Sequence, residues 1–500
     1  MSYWIDYWLN RVSMYRLLSI CLSIMWATSL LLSILGVIDF APLALIVGGI
    51  VLVGTTYLSG RLFGRLFGIR SHGESSYISA LILFFIFTPT LELRGIMALG
   101  LIGMIASLSK YILTIRGRHI FNPAAIAAVV IGLTGLAFAS WWVATPSLLP
   151  ITLLSTLLIL YKTRRFALGL SFLAVSLPLV LIMLLGNGVP MAEAVALLMS
   201  WPFLFFVGFM LSEPLTLPPK KWQQIVEASI VGVLFAVPIH IGSFATTIAI
   251  SLIIGNVVAY IFSKRRVLEL TLTNRHKLTP TTEEFVFSLD KNLSFEAGQY
   301  MEITIPHKHK DGRGLRRSFS IASPPNESSV KFGVKFYNPS SSFKKELNNL
   351  SLDTIIFATT IGGDFTLPKN SNTPLLFIAG GIGITPFISH LLYLKQRKQS
   401  RDITLVYAAS NIDEVAYIDT LKNAAINVFI VTKFDKAPSL TGWTFINEAY
   451  LTKEILKDAV PDITLRTAYV SGPPQLVNST KKHLRKLGVK KVKSDYFTGY

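Results

Sequence analysis

Cysteine is nearly absent. Cys21 alone occurs in 500 residues, inside a hydrophobic run, so no disulfide can close within the chain and no four-cysteine iron–sulfur cluster can be built. Charge is scarce as well: 15% of residues are Asp, Glu, Lys or Arg against 51% hydrophobic, and the mean hydropathy is +0.53, too apolar for an ordinary soluble chain. Before residue 264 the only histidines are His72, His119 and His240. His72 lies in a charged loop and the other two belong to opposite sides of the alternating spans, so two stacked bis-histidine haems cannot be assembled. The net charge of +19 would suit nucleic acid, but cations between apolar spans are what orients a multi-spanning chain, so no nucleic-acid partner is inferred.

The first half instead holds apolar stretches at Leu17–Ile38, Ala41–Leu58, Tyr77–Pro89, Gly95–Ser109, Ile120–Ser140, Leu148–Tyr161, Phe166–Leu185, Met191–Leu211, Ile225–Ile241 and Ser243–Phe262. The first is too long for a signal-peptide core and has no small-residue cleavage pattern. Several fall short of the ~20 residues of a straight span, as broken helices around an intramembrane site do. If every stretch crosses, the arginines and lysines cluster on one side and the other carries only Arg94, which predicts a multi-pass protein of the cell membrane with both termini cytoplasmic. Two polar insertions interrupt the pattern, residues 117–125 (Gly-Arg-His-Ile-Phe-Asn-Pro-Ala-Ala) and 212–219 (Ser-Glu-Pro-Leu-Thr-Leu-Pro-Pro). Their prolines free backbone groups that survive at membrane depth only when buried in protein or lining a cavity; plain helix-ending turns are the alternative.

Residues 77–89, Phe121-Asn-Pro-Ala-Ala125 and Phe209-Met-Leu-Ser-Glu-Pro-Leu-Thr-Leu-Pro218, in that order, resemble the membrane subunits B and D of the sodium-translocating NADH:quinone reductase and the related ferredoxin:NAD electron-transport complex. The resemblance spans roughly residues 60–260. It implies a polytopic all-α membrane domain (1–264) of about ten helices in an inverted repeat of five, carrying flavin. That family attaches FMN to a threonine in a Ser-Gly-Ala-Thr loop, where this chain reads Ser140-Trp-Trp-Val-Ala-Thr-Pro-Ser147. The expectation is therefore non-covalent FMN, riboflavin or quinone near His119, Asn122, Glu213 and Thr216.

From Val267 the texture becomes alternating strands with Asp, Asn, Gly and Pro turns, predicting an antiparallel β-barrel over 265–370. Within it, Arg317-Ser318-Phe319-Ser320 offers a guanidinium for a phosphate, a ring face for stacking and a hydroxyl for a flavin ring nitrogen. Val334 and Lys335 on the following strand, and Ser341 and Ser342 at a helix start, complete the expected FAD seat. Over 371–500 an all-apolar strand, residues 374–379, runs into Gly380-Gly381-Ile-Gly383-Ile-Thr385-Pro386 and a helix, the phosphate cradle of a doubly wound α/β Rossmann-like domain.

With Ser471-Gly472-Pro473-Pro474 and the terminal Asp495-Tyr-Phe497-Thr-Gly-Tyr500, these motifs are similar to the ferredoxin–NADP reductase superfamily. The resemblance implies Phe319 stacked on the isoalloxazine, Arg317 on the pyrophosphate and Ser320 near the ring. It also implies a nicotinamide nucleotide on Gly380–Pro386 and beside Ser471, Gly472 and Pro473, with Phe497 or Tyr500 over the other flavin face and Ser320, Ser471 and Tyr500 as the catalytic set. Ser471 stands where that superfamily usually has cysteine. Acid in residues 410–414 disfavours a 2′-phosphate while Lys433 and Lys436 could hold one, so NADH is favoured and NADPH stays open. The function implied is a membrane-bound, FAD-dependent NAD(P)H oxidoreductase that passes electrons into the membrane domain and on to an unknown acceptor, with no metal. Two alternatives are a redox-driven ion pump or transporter and a flavin reductase merely anchored in the bilayer.

Overall fold

The computed structural model describes residues 9, 12–68, 73–115, 118–241, 244–263, 267–289, 293–307, 311, 315–435, 440 and 442–496. They fall into two compact units, Met1–Arg266 and Val267–Tyr500.

The first unit is helical: α1 (Met14–Ile34), α2 (Pro42–Leu66), α3 (Gly73–Ile86), α4 (Leu93–Ile112), α5 (Pro123–Thr134), α6 (Leu149–Thr163), α7 (Phe166–Gly186), α8 (Met191–Met199), α9 (Lys221–Ala236) and α10 (Ile248–Ser263). Among the described residues six stretches are long and apolar enough to cross a membrane, namely Met14–Ile34, Pro42–Leu66, Leu93–Ile112, Pro146–Thr163, Phe166–Gly186 and Met191–Leu211. This is compatible with a membrane-anchored protein. The order of elements repeats. With Met191–Leu211 counted as one segment, four helical segments, a hairpin of two-residue strands and a further helix occur as α1–α4, residues 114–119 and α5, and again as α6–α9, residues 240–245 and α10. The packing repeats with it, α2 lying along α4 as α7 lies along α9.

Local chemistry explains the two irregular places. Asn122 caps α5, its Oδ1 accepting from the amides of Ala124 (3.0 Å) and Ala125 (3.2 Å), and Pro123 occupies the first turn, where its missing N–H costs nothing. The stretch Met191–Leu211 is one apolar run in the sequence but not one α-helix: α8 gives way to a short turn at Phe203–Phe205 and then to a π-helical segment, Phe206–Leu211. Such π-turns are rare and concentrate at functional sites. This one is fixed by aromatic packing, Phe206 lying 5.3 Å from Phe172 and 5.0 Å from Phe235 between ring centroids.

The second unit contains two six-stranded sheets. The first is antiparallel, built from β1 (Leu268–Thr279), β2 (Thr282–Leu289), β3 (Tyr300–Thr304), β4 (Arg316–Ser320), β5 (Ser329–Lys335) and β6 (Ile355–Gly362) in the order β4-β3-β6-β1-β2-β5. Its alternating strands bury Leu270, Leu272, Phe285, Phe287, Met301 and Phe332 around one core, with α11 (Ser342–Asn348) adding Phe343 and Leu347. The second sheet is parallel: β7 (Leu375–Gly380), β8 (Ile403–Ala408), β9 (Asn427–Thr432), β10 (Trp443–Asn447), β11 (Thr467–Gly472) and β12 (Val492–Tyr496), ordered β10-β9-β8-β7-β11-β12. β7 is buried along its whole length, with apolar clusters on both faces, as a central parallel strand must be. Strand order reverses between β7 and β11, and in open α/β sheets the crevice outside the carboxyl ends of strands at such a switch point is where ligands bind.

Candidate functional site

The carboxyl ends at that switch point are Gly380 and Gly472. β7 runs directly into a 3-10 turn, Gly381–Ile384, and then into α12 (Thr385–Gln396), with Pro386 in its first turn. This path demands a close crossing of two backbones. A Cβ on Gly383 would lie 2.5 Å from the Ser471 carbonyl oxygen and 2.6 Å from Gly472 Cα, and Gly472 itself has φ +151°. The amides opening α12 and the exposed Pro473 loop therefore frame an anion-ready crevice. Inside it Ser471 is fully buried, and its Oγ has no hydrogen-bond partner among the described residues. A buried orphan hydroxyl is costly unless something completes it, which fits a ligand amide or ring edge. Thr385, also buried, spends its hydroxyl on the Ile382 carbonyl (3.1 Å) and so shapes the turn.

Facing this crevice is β4. Parallel pairing sets Ser471 opposite Asp495, and Asp495 Oδ2 accepts from Ser320 Oγ at 3.2 Å. Desolvation holds the Asp495 carboxyl above the usual range, against opposing bonds from the Tyr496 amide and Ser320. Sequence reasoning did not single out Asp495, because its role depends on strand pairing with no local signature. With the Ser320 proton committed to Asp495, the lone pairs of Oγ are left to accept from a ligand N–H. Asp495→Asn substitutes an amide that can donate to Ser320 and turn its proton outward; flavin reduction by NADH in rapid mixing is expected to slow about tenfold, with flavin content unchanged.

Arg317 is buried, its guanidinium over the Phe343 ring at 5.3 Å and 3.7 Å from Asp311. Asp311 in turn accepts from the Ser342 amide at 2.9 Å, while Ser342 Oγ accepts from the Asp311 amide at 3.0 Å. The guanidinium and the helix-start amide expected to meet a pyrophosphate are thus both brought together, and a carboxylate of the chain already sits on them. Ser341 caps α11 by accepting from the Lys344 amide (3.3 Å). Phe319 is half-buried, 5.9 Å from Phe343 and 6.2 Å from Phe332, and Ser318 is exposed. Val334 is buried in the antiparallel core and offers a ligand only its backbone.

Lys335 has a different partner from the expected cofactor: its Nζ donates to Glu414 at 2.8 Å, and Glu414 also accepts from Thr281 and Thr279. The lysine and threonine bonds hold the Glu414 carboxyl below its ordinary range despite desolvation, which is the largest single influence and works the other way. Glu414 therefore ties β8's following turn to the antiparallel sheet, and of the acids in 410–414 only Asp413 stays exposed. Further ties run from Ser389 Oγ to the Ser323 carbonyl (2.7 Å) and between His390 Nε2 and the Ala297 carbonyl (3.1 Å). Together they hold β4 against the glycine turn. Phe497 and Tyr500 lie outside the described residues.

In the helical unit the two polar insertions meet. Asn122 Nδ2 donates to Glu213 Oε2 at 2.9 Å, and the Asn122 amide donates to Asn256 Oδ1 at 2.8 Å. Thr216 is buried one turn further, donating to the Glu213 carbonyl at 3.3 Å, and Arg165 reaches the Ser212 carbonyl. His119 ends one hairpin strand, but its side chain is outside the described residues. In the 140–147 loop, Thr145 spends its hydroxyl on the Trp142 carbonyl (2.6 Å), and Trp142 is itself buried and bonded to the Phe84 carbonyl.

Residues 377–482, which carry most of the second sheet, match the family described as oxidoreductase NAD-binding domain. Among individual proteins, the chain is 28% identical over 233 residues to the electron transfer component of 2-halobenzoate 1,2-dioxygenase from Burkholderia cepacia, covering 44% of this chain and 64% of that protein. It is 29% identical over 227 residues to oxidoreductase NAD-binding domain-containing protein 1 of Xenopus tropicalis (40% and 69%). It is 27% identical over 206 residues to the reductase component of propane 2-monooxygenase from Rhodococcus jostii (strain RHA1) (39% and 53%). The chain spans about half to two thirds of the length of these curated relatives.

Proposed function

We propose that the protein is a membrane-bound, FAD-dependent NAD(P)H oxidoreductase whose soluble unit delivers electrons to its helical unit. The observation that carries this is that Ser320 on β4 bonds to Asp495, which pairs beside Ser471 at the glycine crossing of the β7/β11 switch point. Arg317 and the Ser342 amide hold the pyrophosphate, taking it in place of Asp311, and Phe319 lies along the ring system. The Gly381–Pro386 turn and Gly472–Pro473 hold the nicotinamide nucleotide, and Ser471 Oγ meets its amide or ring edge. FAD supplies the conversion of a two-electron hydride donor into single-electron steps. Ser320 orients its lone pairs toward the ring, and Asp495 keeps that orientation. The antiparallel sheet is read as the barrel of such reductases, and Tyr500 or Phe497 as the outer cover of the flavin.

In the helical unit the repeated element order is read as an inverted repeat, with both termini cytoplasmic. The Asn122–Glu213–Asn256 network, at the end of a π-turn, is the place for a flavin or quinone headgroup. A carboxylate in a buried amide network also favours a second reading, in which electron flow drives ion movement. The tests separate these. Full-length protein is expected to release FAD on acid precipitation and to lose its flavin absorbance on addition of NADH; protein with no extractable flavin overturns the proposal. Glu213→Gln is expected to leave NADH-driven reduction of a soluble dye within about twofold while lowering delivery to a membrane quinone about tenfold. Unchanged quinone reduction, with loss of ion uptake by sealed vesicles, would favour the pump instead.

A further inference from the structure

The soluble unit has 30 Lys and Arg against 21 Asp and Glu, and seven of those cations lie between Lys481 and Lys493 with no acid among them. The rest of the unit is close to balanced. Lys481 and Lys493 are committed, to the Tyr496 hydroxyl (3.2 Å) and the Thr366 carbonyl (2.7 Å). The other five are not. Lys482, Arg485 and Lys486 are exposed at i, i+3 and i+4 on α13 (Pro474–Lys486), whose opposite face buries Val477, Thr480 and Leu484. Lys490 and Lys491 follow, exposed, past the turn at Gly488, φ +82°. Among the described residues none of these five is in an ion pair. Cations in a last helical turn suit the helix dipole, which accounts for Arg485 and Lys486 but not for the two lysines beyond it.

Five like charges held together repel one another and call for an external anion. Cores of protein interfaces are depleted in lysine and rich in aromatics, whereas the exposed residues from 482 to 491 are Lys482, Arg485, Lys486, Gly488, Lys490 and Lys491. Such a patch matches a delocalised anionic surface. The membrane reading supplies such a surface, with only residues 264–267 between α10 and β1 in the chain. The exposed Leu465 stands near the basic turn, where the Thr464 methyl lies 3.8 Å from the Cβ position of Gly488, and could enter a headgroup layer. We propose that the basic face of α13 and the turn after it dock on anionic lipid headgroups, fixing the nucleotide domain against the bilayer.

This rests on the membrane reading above, and the experiment separates the two. Full-length protein is placed in lipid nanodiscs of phosphatidylcholine alone or mixed with phosphatidylglycerol, lysines are acetylated briefly, and labelling is read by mass spectrometry. At low salt, Lys482, Lys486, Lys490 and Lys491 are expected to label about threefold less in the anionic discs and to recover at high salt, with Lys369 and Lys398 unchanged. Lys482→Glu combined with Lys486→Glu and Lys490→Glu should abolish protection of Lys491 while flavin content stays the same. Equal labelling in both discs overturns the proposal, as does protection that arises only when an acidic carrier protein is added. Failure to enter discs at all would instead sink the membrane reading.

Discussion

Gly383→Ala is expected to cut NADH-dependent flavin reduction at least about 100-fold while leaving FAD bound. The added Cβ would meet the Ser471 carbonyl oxygen at 2.5 Å and Gly472 N and Cα at 2.7 and 2.6 Å. All three are backbone atoms of β11 and its exit, so no side-chain rotation relieves the contact. The turn must move away from β11, and the crevice between them is the proposed nucleotide site. A displacement on the scale of an ångström is enough to cost about 100-fold where geometry governs the reaction. Because the proposed FAD donors, Arg317 and Ser342, belong to the antiparallel sheet and α11, flavin content should hold. Equilibrium titration with NAD⁺ and single-turnover reduction in rapid mixing together check this: retained nucleotide affinity with normal reduction would show that the crossing does not form the cradle. Gly381→Ala, at a turn position with no atom within 4 Å of the new Cβ but φ +53°, should lose far less.

What the sequence showed and what it hid follow from the range of the interactions. Arg317–Ser320 and Gly380–Pro386 are contiguous motifs with a strand before or around them, so their local placement could be read from the sequence. Lys335 and Glu414 could not. In the sequence Lys335 reads as a ligand contact and Glu414 as acid disfavouring a 2′-phosphate, yet they are 79 residues apart in the chain and satisfy one another at 2.8 Å, a pairing that only the packing of the two sheets creates. Asp495 lay within a recognised motif without an assigned role, since only the register of β12 beside β11 sets it opposite Ser471 and within reach of Ser320. Edge strands β10 and β12, only half-buried, carry no continuous apolar run and were not anticipated. In the helical unit, composition gave the apolar stretches, but not the π-turn that delivers Glu213 to Asn122, because that shift in helical register arises from the packing of Phe206 against Phe172 and Phe235.

The second large effect is one of acidity, and it centres on His390. The side chain is fully buried on α12, its Nε2–H donating to the Ala297 carbonyl and its ring stacked 6.0 Å from Phe365. Burial pushes its pKa down to about 3; the bond to the Ala297 carbonyl opposes this, and Lys493 and Arg401 add to it. The unfolded chain takes up a proton near the ordinary value of about 6.5, whereas the folded protein stays neutral. Stability from this group is therefore complete above about pH 6.5 and falls as pH drops toward 3, by about 1.4 kcal/mol per pH unit. Between pH 7 and pH 5 the loss is about 2 kcal/mol, in a window above the range where ordinary carboxylates titrate. Asp495, with its raised carboxyl pKa, works in the opposite sense, gaining stability as it protonates. Comparison with His390→Phe isolates the histidine. The variant keeps an aromatic ring against Phe365, gives up about 1 kcal/mol at every pH for the lost bond to Ala297, and should lose the acid sensitivity. Urea midpoints of the solubilised full-length protein, followed by release of flavin fluorescence, should fall from pH 7 to pH 5 in the wild type and stay nearly level in the variant. Parallel declines in both would mean that His390 is protonated in the folded state, and that the seam between the two sheets admits water.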